Sequence, residues 1–269
     1  MSNFLSETEK KISSNFEKKG YVILNVDDIP SLNKIRSTIV KSLKKQKVLN
    51  KLSDHNYIFN SFHKIVDKKD LNLVRKNLIF DLNSDKNFRK IYYNLSKKYL
   101  DILLGNELAM QRRANLSIQL PNDRSSLLPV HSDVWGGNSP FDLVVWMPLV
   151  DCYKTKSMYL LPPNKILKYK KYLSFSKKNT GDGIYNKIKK DLIWINIKFG
   201  ELLIFNQLLP HGNICNLEKE TRWSINCRFK SLFSPYNEKK LGEYFEAITL
   251  RKVSELAIKF DPPKINVKS

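Results

Sequence analysis

The chain holds four histidines, His55, His63, His131 and His211, and one of them stands two residues before a carboxylate in Val130-His131-Ser132-Asp133-Val134. Side chains alternate along an extended strand, so His131 and Asp133 share a face. An imidazole and a carboxylate converging there make two-thirds of a metal site. The best candidate for the third donor is His211, in Leu209-Pro210-His211-Gly212-Asn213. Two histidines and one carboxylate on one side of an ion leave coordination positions open, an arrangement suited to Fe(II). The tripeptide alone fits a hydrogen-bonded pair on a surface loop equally well, so its context has to decide.

That context begins eleven residues after His211 with Arg222-Trp223-Ser224-Ile225-Asn226-Cys227-Arg228-Phe229. The segment alternates: Arg222, Ser224, Asn226 and Arg228 on one face, Trp223, Ile225, Cys227 and Phe229 on the other. The stretch from Ala114 to Leu120 divides in the same way, with Asn115, Ser117 and Gln119 opposite Leu116, Ile118 and Leu120. A polar face of this kind is either solvated or lines the mouth of a barrel, where a guanidinium clamps a carboxylate through paired hydrogen bonds. Two such faces beside a candidate metal site favour the lumen.

The stretch from Gly105 to about Tyr236 resembles the Fe(II)/2-oxoglutarate-dependent oxygenases. Within them it resembles the phytanoyl-CoA hydroxylase-like branch, of the sporadic carbohydrate cluster type. The matching residues are His131-Ser132-Asp133, the run Gly200-Glu201-Leu202-Leu203-Ile204-Phe205 leading to His211-Gly212-Asn213, and Arg222. Glu201 stands where aspartate is commoner. The resemblance implies that His131, Asp133 and His211 hold the iron and form the catalytic centre. It implies that Arg222 meets the far carboxylate of 2-oxoglutarate with Ser224 assisting, and it brings Arg228 and Gln119 into the cosubstrate-binding set. O2 is the co-reactant, and the substrate is a small molecule, anionic or sugar-linked, such as a nucleotide-linked sugar of surface-polysaccharide biosynthesis. Retention of Asp133 disfavours halogenation, which needs that position vacated. A zinc hydrolase or isomerase could use the same three donors, and a basic binding protein without enzymatic activity is the other alternative.

The elements that must position these residues fall into a helical first part and a β-rich second. Residues 1–20 read as a helix closed by Gly20, and Tyr21-Val22-Ile23-Leu24 as a strand. Pro30 opens a helix whose Leu32, Ile35, Ile39 and Leu43 form a core stripe. From Asp54 to Leu104 further helices follow, the last spanning Asp85 to Leu104 with Ser84 or Asp85 as its cap. His55 and His63 lie here, far from any carboxylate at strand spacing, and read as structural or exposed. Asp142 to Leu149 and Met158 to Leu161 read as strands, the second stopped by Pro162-Pro163; Trp146 and Met147 could face lumen or core. Lys165 to Lys198, the most basic and least regular stretch, reads as a solvated insertion, the alternative being a lid. A terminal helix is expected from Thr249 to Phe260, covering the barrel. The expected fold is mainly β with flanking helices, a double-stranded β-helix (jelly roll, cupin-like). One oxygenase domain spans 1–269: a helical part to 104, a jelly-roll core over 105–236, and a helical segment over 237–269.

Composition bounds the reading. A chain of 269 residues can bury one sizeable core, and no apolar run approaches the length of a membrane span. No basic leader followed by an apolar core opens the chain, and three cysteines without paired spacing read as reduced thiols, so a cytoplasmic protein is expected. The net charge of +21 comes from 47 basic against 26 acidic residues. The excess is mostly dispersed lysine without a nucleic-acid-binding motif. It points weakly to an anionic substrate and disfavours nucleic acid as the partner.

Overall fold

The computed structural model describes residues 4–49, 52–173 and 181–261. It opens on helix α1 (Glu7–Lys19), started by a capping box in which Ser6 and Glu9 bond each other's backbone and ended by Gly20 at φ 74°. Strand β1 (Tyr21–Asn25) and helix α2 (Ile29–Lys45) follow, the latter with Pro30 in its first turn and Asp28 as its cap. The stripe Leu32, Ile35, Ile39 and Leu43 is buried as its spacing predicts. Helices α3 (His55–Asn60), α4 (Leu71–Ser84) and α5 (Phe88–Leu104) complete the helical part. The last starts three residues later than the sequence suggests. Ser84 is still in α4, and the Asp85 carboxylate accepts from Asn87 N at 2.9 Å, forming a turn rather than a cap.

The strands of the β part pair antiparallel. Its strands are β2 (Leu108–Gln111), β3 (Asn115–Gln119), β4 (Asp142–Pro148), β5 (Tyr159–Leu160), β6 (Ile193–Trp194), β7 (Glu201–Asn206), β8 (His211–Gly212), β9 (Arg222–Ser231) and β10 (Phe245–Thr249). The large sheet runs β1-β7-β4-β9-β2-β10, with β3 also on β9, and the small one runs β6-β5-β8. Together with the flanking helices this is the expected jelly roll. Strand β4 is buried along its whole length because β7 and β9 pair on either side of it. Tyr92 of α5 sits over it, donating to Val145 O at 2.8 Å. Burying such side chains as Leu32, Ile58 and Phe59 contributes about 1.5–3 kcal/mol each, which is how the helices stay on the sheet.

Two regions depart from the expectation. Within Lys165–Lys198 the described residues are largely regular: helix α6 (Pro163–Leu173), helix α7 (Gly181–Ile188), a 3-10 turn (Lys189–Asp191) and β6. Tyr169, Leu173, Ile184 and Ile188 bury themselves against Tyr159 and Leu161 in a core of their own. The lysines line the outside of these helices and hide their period. At the other end β10 occupies Phe245–Thr249, and the terminal helix α8 is confined to Lys252–Lys259 with no residue buried, so it does not cover the barrel. None of the helices among the described residues is long and apolar enough to cross a membrane, and the three cysteines form no disulfide.

Candidate metal centre

His131 and His211 face each other across a single antiparallel bridge. His131 N donates to His211 O at 3.0 Å and His211 N to His131 O at 2.8 Å. The pairing continues through Asn213, whose N donates to Leu128 O at 3.0 Å while its side-chain oxygen accepts from Leu128 N at 2.7 Å. Gly212 is needed between them, since a Cβ there would meet Leu128 O and the Tyr159 hydroxyl at 2.7 Å. The extended segment is shorter than the sequence reading assumed. Ser132 is extended (φ −119°, ψ 134°), but Asp133 already begins a 3-10 turn to Gly136. The period of two therefore holds across Ser132 alone, and that suffices to bring Asp133 beside His131. The Ser132 hydroxyl, on the opposite face, donates to Gln207 O at 2.8 Å and anchors the turn.

Each imidazole is oriented by its own backbone. His131 Nδ1 lies 2.8 Å from Pro129 O and His211 Nδ1 lies 2.9 Å from Leu209 O. A carbonyl can only accept, so both Nδ1 atoms carry the proton and both Nε2 atoms keep a free lone pair. One donor atom from each of His131, Asp133 and His211 lies within 4.8 Å of the others. The Asp133 Oδ2 atom is buried without a hydrogen-bond partner, although Oδ1 accepts from Arg228 at 2.7 Å. A buried carboxylate oxygen left bare beside two lone pairs is what a divalent cation would satisfy, so the donor set fits such an ion. Burial, then the neighbouring His131, pushes His211 down to about 4, so it is neutral and able to ligate at ordinary pH. Burial works against the Asp133 carboxylate, but His211, Arg228 and His131 outweigh it and hold the group below its usual range.

The three residues open onto a cavity of about 510 Å³ that both sheets line. Val144 and Trp146 from β4, Ser117 from β3 and Arg222, Asn226 and Arg228 from β9 form one wall. The polar face of β9 is thus a lumen face, and Trp146 belongs to it while Met147 joins the core. Arg222 is 3% exposed; its Nη1 donates to Ser157 O at 3.1 Å and its Nη2 to Ser117 Oγ at 2.9 Å. Among the described residues no carboxylate pairs with it and its Nε has no partner, and burial lowers it to about 10. Ser224 is buried with its hydroxyl unpartnered but is not among the cavity-lining residues. Gln119 does not line the cavity either, since its amide donates to Ile214 O at 2.6 Å and holds the chain beyond β8. His55 and His63 stand apart from the centre, the latter bonded to the Thr221 hydroxyl at 3.0 Å. The sequence reading missed Gln111 and Tyr244, which hold Arg228, and Asn138, whose amide donates to Asp133 O at 3.0 Å.

No protein-family model and no curated protein matches the sequence. Solved structures do. EctD from S. alaskensis with 2-oxoglutarate and 5-hydroxyectoine is 13% identical with a TM-score of 0.55, over 88% of this chain and 80% of its own. The non-heme monooxygenase ThoJ in its Ni complex is 16% identical with a TM-score of 0.53, over 83% and 79%. The epimerase SnoN in complex with Fe3+, alpha ketoglutarate and nogalamycin RO is 13% identical with a TM-score of 0.51, over 85% and 86%. At these identities the likeness is one of fold: the chain shares the overall fold of these three structures.

Proposed function

We propose that the protein is an Fe(II)- and 2-oxoglutarate-dependent dioxygenase that oxidises a small molecule. The observation that carries this is Arg222, a buried cation with no carboxylate of its own among the described residues, lining the cavity onto which His131, Asp133 and His211 open. A buried guanidinium left without an anion is costly unless a ligand brings one. Zinc bound by the same three donors would leave Arg222 unexplained.

In this reading His131, Asp133 and His211 hold the metal. Arg222 takes the far carboxylate of 2-oxoglutarate, with Ser117 already fixing its guanidinium and the free Ser224 hydroxyl behind it. Bound there, Fe(II) with 2-oxoglutarate and O2 supplies oxidative decarboxylation coupled to removal of a hydrogen from the substrate, ending in hydroxylation. The chain's own contribution is placement and dryness. The two backbone carbonyls keep the imidazoles in the ligating tautomer, and Phe205 packs edge-on against His211 at 4.9 Å. Trp146 and Met158 line the cavity and exclude water from it.

A carbohydrate or nucleotide-linked sugar is the proposed substrate class. Amides and hydroxyls (Asn72, Asn115, Ser125, Ser126, Asn213 and Asn226) line the cavity, suiting a ligand rich in hydroxyl groups. Among the described residues no lysine lines it, Arg75 there is paired with Asp123 at 3.3 Å and Arg228 with Asp133 at 2.7 Å, which leaves Arg222 as the lining cation without a carboxylate. Anaerobic addition of Fe(II) and then 2-oxoglutarate tests the proposal. A weak visible absorption band that appears only with both is expected, and its absence at saturating concentrations would refute the cosubstrate assignment.

A further inference from the structure

We propose that Arg228 is the positioning residue of the Asp133 carboxylate rather than a ligand of the cosubstrate, and that it holds Asp133 so that one oxygen stays free for the metal. The inference rests on the reading above in one respect, that the cluster binds a metal ion.

The two arginines on the lumen face of β9 live in different surroundings. Arg222 has only neutral acceptors, Ser157 O and Ser117 Oγ. Arg228 already has an anion from its own chain: its Nη2 donates to Asp133 Oδ1 at 2.7 Å, with the two side chains 14% and 6% exposed. An ion pair this close and this sheltered leaves Arg228 little to offer a second carboxylate. The guanidinium is itself held from behind. Gln111 Oε1 accepts from both the backbone N and Nη1 of Arg228 at 3.2 Å, and Nη1 also donates to the Tyr244 hydroxyl at 3.3 Å. Gln111 cannot turn away, because its amide nitrogen donates to Arg113 O at 2.6 Å.

The carboxylate is thereby fixed from one side only. Oδ1 is taken by Arg228, and Oδ2 is buried and bare. Rotating the group to present both oxygens to one ion would break the pair with Arg228. The loop that carries Asp133 is braced by the same C-terminal part of the chain that supplies Tyr244. Ser139 Oγ donates to Pro235 O at 2.7 Å, and Lys239 N donates to Gly137 O at 3.3 Å. Strand β9 and the segment after it thus set the aim of the one acidic donor, while the β8 bridge sets the two imidazoles.

The test separates the two roles. Mn(II), which is redox-silent in this setting, is titrated calorimetrically into the full chain as wild type, Arg228→Gln, Arg228→Lys and Tyr244→Phe. Then 2-oxoglutarate is titrated at saturating Mn(II). Loss of a hydrogen-bonding partner behind a metal ligand weakens metal binding about 10–100-fold, and that is expected for Arg228→Gln. Arg228→Lys recovers part of it, since the charge returns without the planar fork. Tyr244→Phe, which leaves the guanidinium in place, shows a smaller loss in the same direction and guards against misfolding of the arginine variants. The 2-oxoglutarate affinity at saturating Mn(II) stays within about 2-fold of wild type if Arg228 makes no cosubstrate contact. Unchanged or tighter Mn(II) binding in Arg228→Gln overturns the proposal, and so does a large loss confined to 2-oxoglutarate. Wild-type protein that binds no Mn(II) overturns the metal-site reading and this inference with it.

Discussion

Strand β9 buries a cation near each end, and the two ends treat it in opposite ways. Near its C-terminal end Lys230 is fully buried with Asp142 at 3.6 Å, Pro235 O at 2.6 Å and the Tyr236 ring centroid at 3.6 Å. At its N-terminal end Arg222 is almost as buried and has no anion among the described residues. The first arrangement supplies the cation with an anion of its own, although Asp142 Oδ1 has no hydrogen-bond partner. The second leaves a positive charge on Arg222 and a bare oxygen on Asp133 around one cavity, with the unpartnered Ser224 hydroxyl on the same strand. A buried charge without a counter-ion is destabilising, so a strand that pairs the cation at one end and leaves the other without an anion points to where an anionic ligand would fit.

Four substitutions sharpen or break this contrast. The largest effect belongs to Asp133→Ala, which removes a donor outright; loss of Mn(II) affinity beyond the ~100-fold typical of outer partners is expected, together with a lower melting temperature because Arg228 loses its anion. Retained metal binding would show that the open end is not a metal site. Lys230→Met should do the reverse: leaving Asp142 buried and unpaired costs about 3–5 kcal/mol of stability, visible in denaturant titration, while metal binding per folded molecule stays intact.

A pH series addresses the same pair. Burial raises Asp142 to about 6, with Lys230 opposing. A carboxyl raised in the folded state holds its proton where the unfolded chain has lost it. Its contribution to stability is therefore complete below the unfolded value near 3.8 and is lost as pH rises through about 6. Wild type should lose on the order of 3 kcal/mol relative to Asp142→Asn over that window; parallel profiles would remove Asp142 as the cause. The smallest change is Arg222→Ala, which deletes a charge-assisted pair and should weaken 2-oxoglutarate binding by about 1.5–3 kcal/mol. An unaltered titration would show that the cosubstrate is held elsewhere.

Much of the β part is legible in the chain because strands paired on both sides leave no freedom to depart from alternation. Arg222 to Phe229 keeps its two faces since β3 or β2 runs along one edge of β9 and β4 along the other. His131 and Asp133 share a side only because Ser132 is extended, and nothing in the local sequence says that a tight turn begins one residue later. Arg228 lies on the same polar face as Arg222, and the sequence places it in the cosubstrate-binding set without a defined role. Its commitment to Asp133 joins residues 95 positions apart, and pattern along one strand cannot carry such a contact. The helices α6 and α7 escaped because lysines dilute their apolar stripe, and β10 because it is short and mostly half-exposed.

The pairing of His131 with His211 has a consequence for the order in which the protein matures. One donor pair sits on a turn near the middle of the chain, and the remaining imidazole comes eighty residues later, joined to it by a single rung. A nascent chain that has not yet docked these two segments possesses no chelate. In the proposed reading metal loading would therefore follow the docking of these two segments, as a late step of folding.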